Sequence, residues 1–423
     1  MQWRGSVASR DAQTYACMGT ETSSLIQYLS QLRHALNVLE NVECCTGEDH
    51  RQFPVYDAWL DLVAVFMAIS VAVKRVGVLV RRQGLSAGAR PHEKHLSAAS
   101  LEEAANRVWV EELVASQRSC VLVSEDVPEP LVIDNATQGK FVVVFDPLTG
   151  RAQPPCGEMG AIFGIFRQLG QSDTQGDEFN PRDVLQPARQ LVGAGYALYG
   201  PAVLLYVSLG AGVQAFTLDG SMNEWIRTSP QVRIPICGHW YSLDEGSESL
   251  WDADLRSALH RFKESVSLNG ERRSLRRTGS MVADLHRVML YGGVLLYPPC
   301  TAQPQGHLKL LYEAGPLAFL VEQAGGRATD GRLALFDRRP TTLHERVPAY
   351  MGSVNDVELL EQLLAKIDRD PMFLLRRSVS VDEWGARSRL SDDVQATQAP
   401  WSPLQTVGGV LASVPPFLLE DSD

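Results

Sequence analysis

The run Gly139–Asp146, GKFVVVFD, constrains this chain more than any other stretch. Phe141–Phe145 is unbroken apolar sequence between Lys140 and Asp146. A strand with one wet face alternates apolar and polar residues, so this run predicts a strand covered on both faces. Such a strand needs layers above and below it, which commits the chain to stacked sheets and helices. It also delivers Asp146 at its carboxyl end, where open α/β sheets place their chemistry.

The rest of the chain supplies those layers. Cys120–Ser124 is predicted as a second buried strand, ending at Glu125 and Asp126. Ala161–Phe166 and Ala202–Leu209 read as further strands, with Val213–Leu218 pairing antiparallel after the turn at Gly210–Gly212. Apolar residues at helical spacing predict helices over Ser23–Leu39, Asp57–Arg81 and Leu101–Val114, the last carrying Glu102. Gln83–Ser97 has no period and reads as a mobile loop. A second group opens at His239–Leu243, with helices over Asp254–Val266 and Gly279–Leu290 and a strand over Gly292–Tyr297. Lys309–Tyr312 reads as a strand ending at Glu313, followed by a helix, Gly315–Ala324, that Gly325–Gly326 caps. A last helix spans Asp356–Lys366. The expected organisation is an irregular tail over 1–21, domains over 22–232 and 233–367, and a disordered tail over 368–423.

The formal net charge of −11 argues against a nucleic-acid partner, which would call for a basic face. Leu60–Val80 is the most apolar long run, but Asp61, Lys74 and Arg75 interrupt it, so it reads as a core helix and no membrane partner is expected. The seven cysteines are scattered, and only Cys44 and Cys45 are adjacent. That pattern suits reduced thiols in a cytoplasmic protein, and the N-terminus lacks the apolar segment of a secretory signal.

Glu125 with Asp126, Asp146 and Glu313 thus stand at three predicted strand ends. Hard divalent cations such as Mg²⁺ prefer oxygen ligands, and carboxylates converging from separate strands supply them. An ion so held can clamp a phosphate and activate a water. Residue types and spacing reach as far as a metal-assisted hydrolase.

Longer blocks are more specific. CVLVSED, GKFVVVFDPLTG, LQPARQLVGAGYALYGPA, GSMVADLHRVMLYGGVLLYP and HLKLLYEAGPLAFLVEQAGGRATDG follow one another in order. Through them the chain resembles the fructose-1,6-bisphosphatases. The resemblance implies a layered αβαβα sandwich of two sheet-containing subdomains and a Mg²⁺- or Mn²⁺-dependent phosphatase of sugar bisphosphates. It also implies a homo-oligomer, dimer or tetramer, or a hetero-oligomer with a paralogue. By position it assigns Glu125, Asp146, Glu313 and the Leu148 carbonyl to metal, and Asp126 with Glu102 behind it to activation of the attacking water. Gly150, Arg151, Asp244, Arg276, Arg277, Tyr297 and His307 fall on substrate-binding positions.

The chain also departs from that pattern. The family reads D-P-L-D-G-S-S where this chain has Asp146-Pro147-Leu148-Thr149-Gly150-Arg151-Ala152. Thr149 replaces a carboxylate that bridges metal and phosphate, and Arg151 and Ala152 replace small phosphate donors. Asp244 and Ser247 stand for Asn and Tyr, His307 for Lys, and Arg277 for Tyr, whereas Tyr297 and Arg276 are kept. The expected outcome is a weakened phosphatase, with a catalytically silent regulatory or structural member as the alternative. The animal adenylate-inhibition motif is replaced over Gln52–Asp57, and the cysteine-bearing insertion of plastid enzymes is missing.

Overall fold

The apolar run Phe141–Phe145 lies in a central strand. The computed structural model describes residues 23–30, 55–86, 98–133, 139–150, 158–169 and 181–368, all within the unit Met1–Asp368. Eight strands form the first sheet: β1 (Ser119–Ser124), β2 (Leu131–Val132), β3 (Phe141–Thr149), β4 (Met159–Arg167), β5 (Leu191–Tyr199), β6 (Val203–Ser208), β7 (Val213–Asp219) and β8 (Glu224–Val232). Their order is β2-β1-β3-β4-β5-β6-β7-β8, with β1 parallel to β3 and every other pair antiparallel. Because side chains alternate along a strand, Val142 and Val144 of β3 enter one core while Val143 and Phe145 enter the other.

Helices α1 (Val55–Ser86) and α2 (Ala98–Ala115) cover the second of these faces. Phe66, Ile69, Val73 and Val76 of α1 and Trp109 of α2 are buried there, and Trp109 stacks on Phe145 with ring centroids 5.2 Å apart. Leu60–Arg82 is long and apolar enough to cross a membrane by length and composition alone. Its position explains that composition: one stripe is buried on the sheet, while Arg75 pairs with Glu111 and Glu112 of α2.

The second half builds outward from the other face. Five strands, β9 (Trp240–Ser242), β10 (Ser274–Leu275), β11 (Val294–Tyr297), β13 (Arg327–Thr329) and β15 (Ala349–Gly352), form a second sheet in the order β10-β9-β11-β15-β13. A separate ribbon pairs β12 (Leu308–Lys309) with β14 (Arg346–Val347). Flanking this sheet are α3 (Ala253–Glu264), α4 (Met281–Tyr291), α5 (Gly315–Gln323) and α6 (Val354–Asp368). α4 and α5 lie between the sheets, where Val282, Leu285, Leu317 and Leu320 meet Val144 and Ile162 on one side and Leu295 and Met351 on the other. α3 and α6 close the outer face, with Leu259, Phe262, Val357 and Leu360 on Val294 and Leu296. The layers therefore run α1/α2, sheet, α4/α5, sheet, α3/α6, an αβαβα sandwich.

Several expectations need correction. The strand predicted over Lys309–Tyr312 is only Leu308–Lys309; Leu310–Ala314 is a π-helical turn that runs into α5, so Glu313 sits in that turn. Asp146 lies inside β3, which continues to Thr149 through a bulge. Residues 83–86 continue α1 where a loop was expected. β5 and β8 carry no strand prediction. Gly193 and Gly195 break the apolar run of β5, and a Cβ at Gly195 would come within 2.3 Å of the Phe163 ring. β8 is a polar edge strand containing Pro230, which the missing N–H tolerates only at an edge or bulge. Of the helix predicted over Ser23–Leu39, residues 25–30 are helical, whereas Ser23 and Ser24 precede the helix and Ser24 bridges Ile226 of β8. Residues 31–39, like both predicted tails, lie outside the described residues apart from Asp368 at the end of α6.

Candidate metal and phosphate site

Glu125, Asp146 and Glu313 reach one point from three directions, each offering a carboxylate oxygen within 4.8 Å of the others. The local sequence explains each approach. Between Asp146 and Thr149 the β3–β4 register shifts by one residue, and Pro147, which has no N–H to give the ladder, occupies the bulge. The Leu148 amide donates to Asp146 Oδ1 at 3.1 Å, whereas Asp146 Oδ2 is buried with no hydrogen-bond partner among the described residues. The Glu125 amide donates to the Phe145 carbonyl at 3.1 Å, extending the β1–β3 ladder by one residue and setting Glu125 beside Asp146. Glu313 comes from the π-helical turn, where its Oε2 accepts from the Lys309 amide at 2.5 Å.

Burial pushes the Asp146 carboxyl well above the usual carboxylate range, and the nearby Glu125 and Glu313 charges push it further. Glu313 is raised for the same reasons, burial first and Glu125 second, against the Lys309 amide and the Lys309 and Arg346 charges. Three clustered carboxylates are unfavourable when ionised together without a cation. The orphaned Asp146 Oδ2 and the all-oxygen donor set fit a hard divalent ion.

A cleft of about 210 Å³ opens over the cluster. Glu125, Glu313, Leu148, Thr149, Gly150, Tyr297 and His307 line it, together with Gly279, Met281 and Leu308. Gly150 has φ +92°, and a Cβ there would lie 3.2 Å from Ser280 Oγ, so this turn requires glycine. Burial pushes the Tyr297 hydroxyl up to about 12. Burial, followed by the Arg346 charge, pushes His307 down, so it is a neutral donor or acceptor near pH 7.

The remaining predicted residues are placed as follows. Asp126 is exposed next to Glu125, and its amide donates to Ser124 Oγ at 3.3 Å. Ser124 Oγ in turn donates to Asn106 Oδ1 at 2.8 Å. Glu102 is one turn before Asn106 on the same face of α2, the face turned to this loop. Arg277 lies over the Tyr297 ring at 5.6 Å without lining the cleft. Arg276 stacks on Trp240 at 4.5 Å and donates to the Leu275 carbonyl at 2.8 Å. Asp244 is exposed and accepts from Ser247 Oγ at 2.8 Å. Neither Arg276 nor Asp244 lines the cleft, and Arg151 lies outside the described residues.

Gly279 and Met281 were not singled out from the sequence. Their signal is the GSM step at the start of α4, where Ser280 caps the helix and Gly279 takes φ +89°. His286, in the same block, is a structural residue, its Nδ1 3.0 Å from the Tyr196 hydroxyl. Trp109 and Trp225 are buried core residues.

Known proteins match this architecture across both halves. The family model described as "Fructose-1-6-bisphosphatase, N-terminal domain" matches residues 42–230, and that of the C-terminal domain matches residues 234–365. The cytosolic fructose-1,6-bisphosphatase of Brassica napus is 42% identical over 271 residues, 64% of this chain and 78% of that protein. The cytosolic enzyme of a Saccharum hybrid is 38% identical over 335 residues, 79% of this chain and 93% of that protein. Among solved structures, the holo form of Leishmania major fructose-1,6-bisphosphatase superposes with a TM-score of 0.68 at 31% identity, covering 81% of this chain and 99% of that one. With both family domains matched in order on one αβαβα sandwich, the chain belongs to the fructose-1,6-bisphosphatase family.

Proposed function

We propose that this chain is a metal-assisted sugar-bisphosphate phosphatase, acting on the 1-phosphate of fructose 1,6-bisphosphate, whose turnover is weakened by Thr149. The convergence of Glu125, Asp146 and Glu313 beneath a cleft that Thr149 also lines carries this reading. In it Glu125, Asp146, Glu313 and the Leu148 carbonyl hold Mg²⁺ or Mn²⁺. The ion supplies positive charge to the phosphoryl oxygens. Asp126, backed by Glu102, takes the proton of the attacking water. Gly150 lets the phosphate approach the backbone closely, and Arg151, next in the sequence, brings a cation where the family has a small hydroxyl donor. Tyr297 and His307 hold the sugar end.

Thr149 brings a neutral hydroxyl where a carboxylate would bridge ion and phosphate, and hydroxyls are weak ligands for hard dications. Removing one preorganised group of this kind costs roughly 10²–10³-fold in rate. The family likeness and the cytosolic names of the relatives support a cytoplasmic protein that assembles as a homo-oligomer or with a paralogue.

The test is phosphate release from fructose 1,6-bisphosphate across Mg²⁺ and Mn²⁺ titrations, for the natural protein and for Thr149→Asp/Arg151→Ser/Ala152→Ser. Slow release that rises roughly 10²-fold or more in the triple variant is expected. Equal rates would show that the loop is not limiting. No release from either protein at any metal concentration would replace this reading with a catalytically silent member of regulatory or structural role.

A further inference from the structure

The two halves of the metal cluster come from distant parts of the chain, Glu125 after β1 and Glu313 before α5. One short segment, residues 344–346, ties both supports together. The Glu345 carbonyl accepts from the Leu310 amide at 2.8 Å, at the start of the π-helical turn that carries Glu313. Arg346 donates to the His307 carbonyl just upstream of that turn. His344 reaches further. Its Nδ1 lies 2.8 Å from the Tyr312 hydroxyl, immediately before Glu313, and its Nε2 lies 3.1 Å from the Pro128 carbonyl, in the loop that begins with Glu125 and Asp126.

The direction of each bond follows from the partners. A carbonyl only accepts, so Nε2 carries the hydrogen, and in the neutral imidazole Nδ1 then accepts from the Tyr312 hydroxyl. Lys309 Nζ donates into the same hydroxyl at 3.0 Å. The chain of bonds therefore runs from Lys309 to Tyr312 to His344 to Pro128 in a single sense, an arrangement in which each bond polarises the next.

We propose that His344 is a positioning residue that fixes the spacing between the Glu125–Asp126 loop and the Glu313 turn. The proposal rests on reading Glu125, Asp146 and Glu313 as one metal-holding cluster. It adds a requirement that those carboxylates alone do not express: the two supports must be clamped before their oxygens share an ion. Groups that orient metal-holding side chains typically change metal affinity by roughly 10–100-fold when removed.

The experiment uses the full chain with three substitutions. His344→Leu removes both bonds, His344→Gln keeps an amide N–H for the Pro128 carbonyl, and Tyr312→Phe removes only the Nδ1 partner. Hydrogen exchange of loop amides 125–131 is read without metal, and Mn²⁺ affinity is read by titration calorimetry. Exchange in α3 and α6, remote from the site, serves as the control that the fold is kept. In His344→Leu the loop amides are expected to exchange about tenfold faster, the size of one lost hydrogen bond, and the Mn²⁺ Kd to rise roughly 10–100-fold. His344→Gln is expected to restore most of the loop protection, and Tyr312→Phe to fall between. Unchanged loop exchange in His344→Leu would overturn the clamp whatever the metal result. Faster exchange with an unchanged Mn²⁺ Kd would overturn its link to the carboxylates. If the natural protein binds no Mn²⁺ while the loop still loosens, the metal reading fails and the clamp alone stands.

Discussion

The Leu148 amide satisfies Asp146 Oδ1 at 3.1 Å, while the other oxygen of the same carboxylate is buried with no partner among the described residues. The bulge that follows Asp146 therefore orients the side chain and still leaves one oxygen for a cation.

Metal binding should accordingly stabilise the fold. A ligand at a hundred times its Kd adds about 2.7 kcal/mol if it binds only the folded state. Metal-stripped protein is expected to gain several degrees in Tm on addition of Mn²⁺, and Asp146→Asn is expected to lose that gain. Differential scanning calorimetry with and without chelator checks both.

His286 should make stability fall in mild acid. Burial, with a smaller push from Arg287, lowers its pKa from 6.5 to about 4. Between those values the unfolded chain binds more protons than the folded one, so the His286 contribution is complete above pH 6.5 and is lost as pH falls toward 4. The shift corresponds to a loss on the order of 3 kcal/mol by pH 4. Urea unfolding from pH 7 to 4 should show a shallower decline for His286→Gln than for the natural protein.

The Arg273–Asp356 pair should matter more than surface ion pairs. The side chains are 2.9 Å apart and 1% and 3% exposed, Asp356 also accepts from the Gly238 amide at 2.7 Å, and Arg273 lies over the Phe262 ring at 4.0 Å. Removing the cation alone leaves a buried carboxylate uncompensated, so Arg273→Met is expected to destabilise by about 3–5 kcal/mol. By contrast, loss of the exposed Arg189–Asp337 pair should cost less than about 1 kcal/mol. Denaturant midpoints of Arg273→Met and Arg189→Ala separate the two.

Gly160 lets α4 sit directly on the first sheet. A Cβ there would lie 2.6 Å from Val282 Cβ and 2.8 Å from the Ala197 carbonyl, neither of which can move without shifting the helix or the strand. Gly160→Ala is expected to cost about 1–3 kcal/mol, as overpacked cores do. A Tm within a degree of the natural protein would contradict this close contact.

Much of this was legible in the chain itself. The unbroken apolar run Phe141–Phe145 reports a strand buried on both faces because each face demands its own apolar residues, and the two cores divide those residues between them. Asp146 and Glu125 were readable because each stands at the end of such a run. β5 and β8 were not readable. Glycines in β5 make room for Phe66 and Phe163 from elsewhere in the chain, and an edge strand such as β8 has too few apolar positions to show a period.

The linear pattern of residues reports which segments are buried and which acids stand at the ends of apolar runs. Packing in three dimensions brings Glu313 in through a π-helical turn, sets Asp146 before a bulge, and lets His344 join residues 32 and 216 positions away. Periodicity reports which side of an element faces a core, a local property. Which oxygens meet at one point depends on how separate layers stack, and no local pattern encodes that distance.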